Sequence, residues 1–272
     1  MITLAGPIGA PSANKFCHIS PVNPKHVQED FKEYNIDILD GGISNFCLES
    51  TVVRPNCKEK LVEILRKGIL SKTELQECLN KNDKFKDYKV EFLAKVNKEQ
   101  VNTEKPDNDN KFEIIENDIN GNTNCIQSSN GNTNNHEEDF SVAQLAPGQF
   151  LKHYSPLIDT YILETNYQEN TNNNSFILPT SDLTKVIVLD FNSNILKLYG
   201  NCFGYYKDLS TDGNDVELIK NLYDYLHWAE TCTETTMLII CDLSKYLKGS
   251  IHYETICDRI EKVTSSKRIH IK

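Results

Sequence analysis

Apolar residues recur along this chain with two periods, and each period marks a set of elements. Leu218, Leu222, Leu226 and Ala229 return at helical spacing and predict an amphipathic helix over 215–229, with a second helix over 250–264. Asn23 before Pro24 reads as an N-cap followed by proline in the first turn. That predicts a helix to about Lys32 with Val27 and Phe31 on one face. Ser71-Lys72-Thr73-Glu74 has the form of a capping box and predicts a helix to about Leu79. Short apolar or β-branched runs predict strands at IDIL (36–39), STVV (50–53), LVEILR (61–66), TYILE (160–164), KVIVLDF (185–191) and TMLIICDL (236–243). Asp40-Gly41-Gly42 stops the first of these.

Between these patterned regions the pattern disappears. Residues 97–140 are rich in Asn, Asp, Glu and Lys, and GNTN occurs at 121–124 and again at 131–134. So few large apolar side chains cannot offset the entropy of ordering, so an Asn-rich disordered insertion or linker is expected over 82–145. The chain then divides into residues 1–81, that insertion, an ordered linker over 146–156, and an α/β domain over 157–272. Strands alternate with helices in the last part, as in a sheet layered by helices. It contains neither GxGxxG nor a Walker loop, so it offers no nucleotide-binding motif of its own.

Composition narrows the classes. The chain has 272 residues, 39% hydrophobic and 25% charged, with a formal net charge of −10. That charge excludes a protein gripping nucleic acid by broad electrostatic attraction. The nine cysteines include no CxxC pair, which fits reduced thiols and a cytoplasmic location better than a disulfide framework or zinc ribbon. No apolar run approaches the ~20 residues of a membrane helix. The opening MITLAGPIGA lacks the basic flank of a signal peptide.

Candidate chemistry gathers in a few places. In GAPSAN (9–14), Ser12 and Asn14 are spaced to point the same way on an extended turn, with Ala10 and Ala13 leaving room beside them. That suits a phosphate or small polar ligand, and equally an ordinary capped turn. Cys17 and His18 are adjacent, so their side chains diverge and do not make a nucleophile–base pair. Ser20 precedes Pro21 and either faces the same ligand as Ser12 or starts a turn. In DGGISNFCLESTVV (40–53), Ser50 at a strand start can line a pocket, with Glu49 and Thr51 facing the other way. Arg66 is a phosphate or ribose partner, or a solvated surface residue. APGQFLKHYSP (146–156) keeps His153 and Tyr154 after the Asn-rich run, as a linker that lies on something.

APSANKFCHISPVN, ILDGGISNFCLESTVV, ILRKGILS and APGQFLKHYSP occur in this order and at this spacing. Together they resemble the YrdC-like threonylcarbamoyl-AMP synthases in their long, two-domain form. The resemblance implies an α/β fold: the C-terminal part of a YrdC-like twisted-sheet domain plus a smaller Rossmann-like domain. It implies an L-threonylcarbamoyladenylate synthase, a nucleotidyltransferase that joins L-threonine, bicarbonate and ATP and releases pyrophosphate. ATP would come with Mg2+. The product would pass to the tRNA threonylcarbamoyl transferase machinery for N6-threonylcarbamoyladenosine, with a weak contact to tRNA or double-stranded RNA. Ser12, Asn14, Ser20, Arg66, His153 and Tyr154 would face ATP, and Ala10 and Ser50 would line the threonine pocket. No residue is implied as a protein nucleophile or metal ligand. The family's SGxxSP stands here as FCHISP, its LRPG as LRKG, and its linker arginine as Lys152. Its KxR pair and threonine-carboxylate arginine precede APSAN, so the resemblance also implies a chain that starts inside the first domain and is weakly active alone. The alternative is an inactive remnant that binds nucleotide, RNA or a partner.

Overall fold

Two sheets organise the chain in the computed structural model, which describes Gly6 and residues 11–45, 47–93, 153–164, 176–178 and 180–271. The smaller sheet has the order β1-β2-β3, with β1 Val52–Asn56, β2 Leu61–Arg66 and β3 Lys89–Phe92. Strands β1 and β2 pair antiparallel, and β2 and β3 pair parallel. The parallel pair needs a crossover, supplied by helix α2 (Lys72–Asn80), whose N-terminus carries the expected Ser71–Glu74 capping box. Gln76 ties this helix to β3, donating to the Tyr88 carbonyl and accepting from the Val90 amide. Pro55 sits in β1, an edge strand, where its missing N–H costs no ladder bond. Helix α1 (Pro24–Asp30) begins at the Asn23 cap, as its sequence predicts.

The larger sheet has the order β5-β9-β4-β8-β6-β7, and every pair in it is parallel. Its strands are β4 Thr160–Leu163, β5 Phe176–Leu178, β6 Val186–Asp190, β7 Tyr205–Asp208, β8 Met237–Cys241 and β9 Arg268–Ile271. Strand β6 is buried throughout and β8 along all but its first residue, as parallel strands covered on both faces should be. Helix α3 (Asn194–Tyr199) follows β6, α4 (Asp215–Thr231) joins β7 to β8, and α5 (Tyr253–Thr264) joins β8 to β9. Among the described residues no helix is long and apolar enough to cross a membrane.

The fold corrects four expectations. IDIL (36–39) is not a strand: Ile36, Ile38 and Leu39 are exposed, no described strand pairs with them, and the Ile36 amide bonds only locally, to the Tyr34 carbonyl. The strand expected from Ser50 begins at Val52, because the Ser50 carbonyl accepts from the Arg66 side chain. The linker expected from residue 82 gives way to β3, whose Val90 is buried against the small sheet; residues 94–152 lie outside the described residues. The second sheet is the larger of the two, because β5, β7 and β9 join it from segments too short or too polar to read as strands.

Residues 1–93 also group with 145–272 in one contact unit, where separate domains were expected. Ile19, Val22, Cys47 and Leu48 enter the same buried cluster as Leu222 and Leu226 of α4 and Ile256 and Ile260 of α5. The apolar faces of these helices therefore pack on the N-terminal residues as well as on their own sheet.

Candidate active site

The site grows from one close approach. Gly68, just beyond β2, lies flush against the backbone of 49–51: a Cβ there would sit 2.2 Å from the Thr51 nitrogen and 2.3 Å from the Ser50 carbonyl carbon. This fixes the two segments together. The Ile69 amide donates to the Glu49 carbonyl (3.0 Å), and Thr51 Oγ1 both donates to the Leu70 carbonyl and accepts from its amide. Arg66 Nε then reaches the Ser50 carbonyl and its Nη2 reaches Ser50 Oγ, each at 3.1 Å. Gly68→Ala must push these backbones apart, and overpacking of this kind costs about 1–3 kcal/mol. A lowered unfolding midpoint in urea at unchanged m-value is the expected result.

Glu49 joins this pair to the larger sheet's helices. Its carboxylate accepts from Ser20 Oγ (2.7 Å), from the Tyr223 hydroxyl of α4 (3.2 Å) and from Arg259 Nε of α5 (2.9 Å). Arg259 is wholly buried. Its Nη2 donates to the Lys67 carbonyl (2.7 Å) and its Nη1 to Asp258 (2.6 Å), and the guanidinium carbon lies 4.7 Å from the centre of the Tyr154 ring. Burial disfavours its charge, but the carboxylates of Glu49 and Asp258 outweigh burial and hold Arg259 protonated. The Tyr154 ring stacks on Tyr223 at 5.8 Å. Burial pushes the Tyr154 hydroxyl up to about 12 and Tyr223 well above its ordinary value, so both phenols stay neutral donors.

The turn over residues 12–18 and the linker meet beside this hub. The Asn14 amide donates to the Lys15 and His18 carbonyls, and the Ser155 N–H donates to the Cys17 carbonyl. Burial lowers His153 to about 4, so its imidazole is neutral, and the charges of Glu49, Lys262, Arg259 and Arg66 all act on it. Three buried polar atoms here have no hydrogen-bond partner among the described residues: Asn14 Oδ1, His153 Nδ1 and the Tyr154 hydroxyl. The one other such atom is Nδ1 of His252. Buried polar groups nearly always have a partner.

A cleft of about 1140 Å³ is lined by this turn and the linker, with Lys15, His18, Ser155, Asp30, Trp228 and Glu230 among its walls. His18 bridges Asp30 of α1 (2.8 Å) and Glu230 of α4 (2.9 Å), so it does not serve the adjacent Cys17 as a base. Burial lowers its pKa, but the hydrogen bonds and charges of Glu230 and Asp30 outweigh that and raise it overall. His26 and His227 stack at 3.7 Å. Burial, and then His227, push His26 down to about 4, and burial lowers His227 as well.

The pH dependence follows from these signs. The His18 clasp contributes fully below the ordinary imidazole value of 6.5 and is lost as pH rises through its raised value. His26 and His153 contribute above 6.5, and their contribution is lost as pH falls from 6.5 towards 4; His227, also lowered by burial, acts in the same direction. Melting temperature should therefore fall across that acid window. His26→Gln should make the fall shallower, whereas His18→Gln should lower the melting temperature throughout that window without changing the slope of the fall.

The residues singled out from the sequence are partly assembled. Ser50 and Arg66 touch, Ser20 joins them through Glu49, and His153 and Tyr154 lie within the field of Arg66 and Glu49. Asn14 abuts this group through the 14–18 turn, and Ser12 is exposed at the start of that turn, its carbonyl accepting from the Asn14 amide. Ala10 and Lys152 lie outside the described residues. Glu49, Tyr223 and Arg259 were missed. The signal for Arg259 was its place on the apolar face of α5, in register with Ile256, Ile260 and Val263.

A small mixed sheet and a larger parallel sheet thus share one hub, with arginine, serine and tyrosine side chains and unpartnered polar atoms. That is the arrangement of a two-part α/β protein. The family model for the threonylcarbamoyl-AMP synthase C-terminal domain matches residues 70–265, most of the chain, so the chain belongs to this family. It is 43% identical over 70 residues to the threonylcarbamoyl-AMP synthase of Schizosaccharomyces pombe, an alignment covering 26% of this chain and 17% of that protein. The crystal structure of P. abyssi Sua5 complexed with L-threonine superposes with a TM-score of 0.56 at 18% identity. That match covers all of this chain and 62% of the other, and it establishes the shared fold.

Proposed function

We propose that this chain supplies the ATP-facing part of a threonylcarbamoyl-AMP synthase. One observation carries the reading. Of the four buried polar atoms without a partner among the described residues, three belong to Asn14, His153 and Tyr154, which the family resemblance implies would face ATP. A ligand rich in donors and acceptors would satisfy them.

In this reading the threonine amine condenses with bicarbonate, losing water to form the carbamate, and the carbamate oxygen attacks the α-phosphorus of ATP. The bond to the β,γ-phosphates breaks and pyrophosphate leaves. The Arg66 guanidinium, held by Ser50, stabilises charge on the phosphates as it builds. Ser12 gives a hydroxyl donor to the nucleotide, Asn14 turns its unpartnered Oδ1 to it as an acceptor, Ser20, whose hydroxyl proton goes to Glu49, offers a lone pair, and Ser50, with Ala10, lines the threonine side. His153 and Tyr154 cover the nucleotide and exclude water, which would hydrolyse the mixed anhydride. No protein nucleophile is required. Among the described residues no group of three or more His, Cys, Asp or Glu is arranged to hold a metal ion. Mg2+ would arrive on the phosphates of ATP, and no step here is assigned to it.

The product would be handed to the enzymes that modify tRNA. A chain of net charge −10 would touch RNA only locally, and a cytoplasmic site of action suits that handover. The L-threonine in the P. abyssi structure supports threonine as the amino-acid substrate. The test is pyrophosphate release from ATP by the protein that carries this sequence. Release is expected only when L-threonine and bicarbonate are both present. Release indifferent to threonine would contradict the reading.

A further inference from the structure

We propose that Arg259 is a positioning residue through which the larger sheet's domain sets the geometry of the Ser50–Arg66 pair. The inference rests on the functional reading above and gives the second domain a task in it.

The argument is geometric. Arg259 belongs to α5, far along the chain from the small sheet, yet it grips the immediate neighbours of both candidate residues. Its Nε holds the carboxylate of Glu49, next to Ser50, and its Nη2 holds the carbonyl of Lys67, next to Arg66. The 49–51 and 66–70 segments are thus pinned together by one planar group. The same group backs the ring of Tyr154, the linker residue expected over the nucleotide. Two further contacts run in parallel: Thr255 Oγ1 donates to the Gly68 carbonyl (2.9 Å), and Lys67 Nζ pairs with Glu254. A guanidinium presents several donors in a fixed fork, whereas an ammonium is a single point. Lysine at 259 would keep the charge and lose the simultaneous grip.

The hydrogen bonds of Arg259 go to Glu49, Lys67 and Asp258, so its effect on Ser50 and Arg66 passes through Glu49 and Lys67, and on the nucleotide through the Tyr154 ring that it backs. It differs in this from a residue that merely holds the fold together. Both roles predict a less stable protein when the arginine is lost. Only positioning predicts that ligand affinity stays lost when stability is restored.

The experiment uses the full chain and two variants, Arg259→Lys and the double variant Glu49→Gln/Arg259→Met. Three quantities are read: melting temperature, ATP affinity by calorimetry well below melting, and amide exchange at Ile69 and Leu70. The Ile69 amide bonds to the Glu49 carbonyl and the Leu70 amide to Thr51 Oγ1, so both report on this pairing. The expected result for Arg259→Lys is faster exchange at both amides and ATP binding at least tenfold weaker. The double variant removes the buried charges together, so most of the melting temperature should return while ATP affinity does not. Affinity that recovers with stability would overturn the proposal, as would unchanged exchange in Arg259→Lys. If the unaltered chain binds no ATP, the functional reading fails, and the exchange data alone still decide whether Arg259 sets the pairing.

Discussion

Glu49→Ala is expected to lower the melting temperature by roughly 6–12 °C. The substitution strands Arg259, which is wholly buried and has no route to water. Removing one partner of a buried ion pair costs about 3–5 kcal/mol, because the other charge stays behind uncompensated. The lower end of that range applies, since Asp258 and the Lys67 carbonyl still bind the guanidinium and the Glu49 side chain is 17% exposed. For a unit of this size each kcal/mol is worth about 2–4 °C. Ser20 and Tyr223 also lose their acceptor, so the hydroxyls that line the hub lose their fixed orientation. Differential scanning calorimetry of the single variant reads the effect. A shift below about 2 °C would show that Glu49 is not the hub described here.

Arg66→Ala is expected to weaken ATP binding roughly 10- to 150-fold. That range corresponds to one charge-assisted hydrogen bond, about 1.5–3 kcal/mol. Threonine binding should change less, because Ser50 keeps its backbone place through the Glu49–Ile69 and Thr51–Leu70 bonds. Arg66→Lys should recover only part of the loss, since lysine cannot hold both Ser50 oxygens while meeting a phosphate. Parallel titrations with ATP and with threonine separate the two sides of the site. Equal weakening of both ligands would mean that Arg66 organises the whole pocket and is not a nucleotide contact.

How much of this was legible in the sequence depends on what each signal measures. Helices α1, α2, α4 and α5 were readable because cap residues and apolar spacing are local properties. Strands β6 and β8 were readable as continuous apolar runs. Strands β7 (YYKD) and β9 (RIHI) were not, because their membership is decided by neighbours far along the chain. IDIL failed in the opposite sense: its residues suit a strand, but none of the described strands pairs with it. The site divides in the same way. Ser50 and Arg66 stood out through motifs, and the structure places them in contact. Arg259 and Glu49 were hidden because each looks ordinary alone. Their partnership spans 210 positions, and only a charged residue on the apolar face of α5 hinted at it.

The central claim is that ATP binds at the Ser50–Arg66–Tyr154 hub, not in the cleft beside His18. Titration of isotope-labelled full chain with ATP, followed by amide and imidazole NMR, tests it most directly. Shifts concentrated at Ser20, Ser50, Arg66, His153 and Tyr154, with the His26 and His227 ring signals unmoved, are the result this account predicts. Shifts centred on His18, His26, His227 and Trp228 would contradict it.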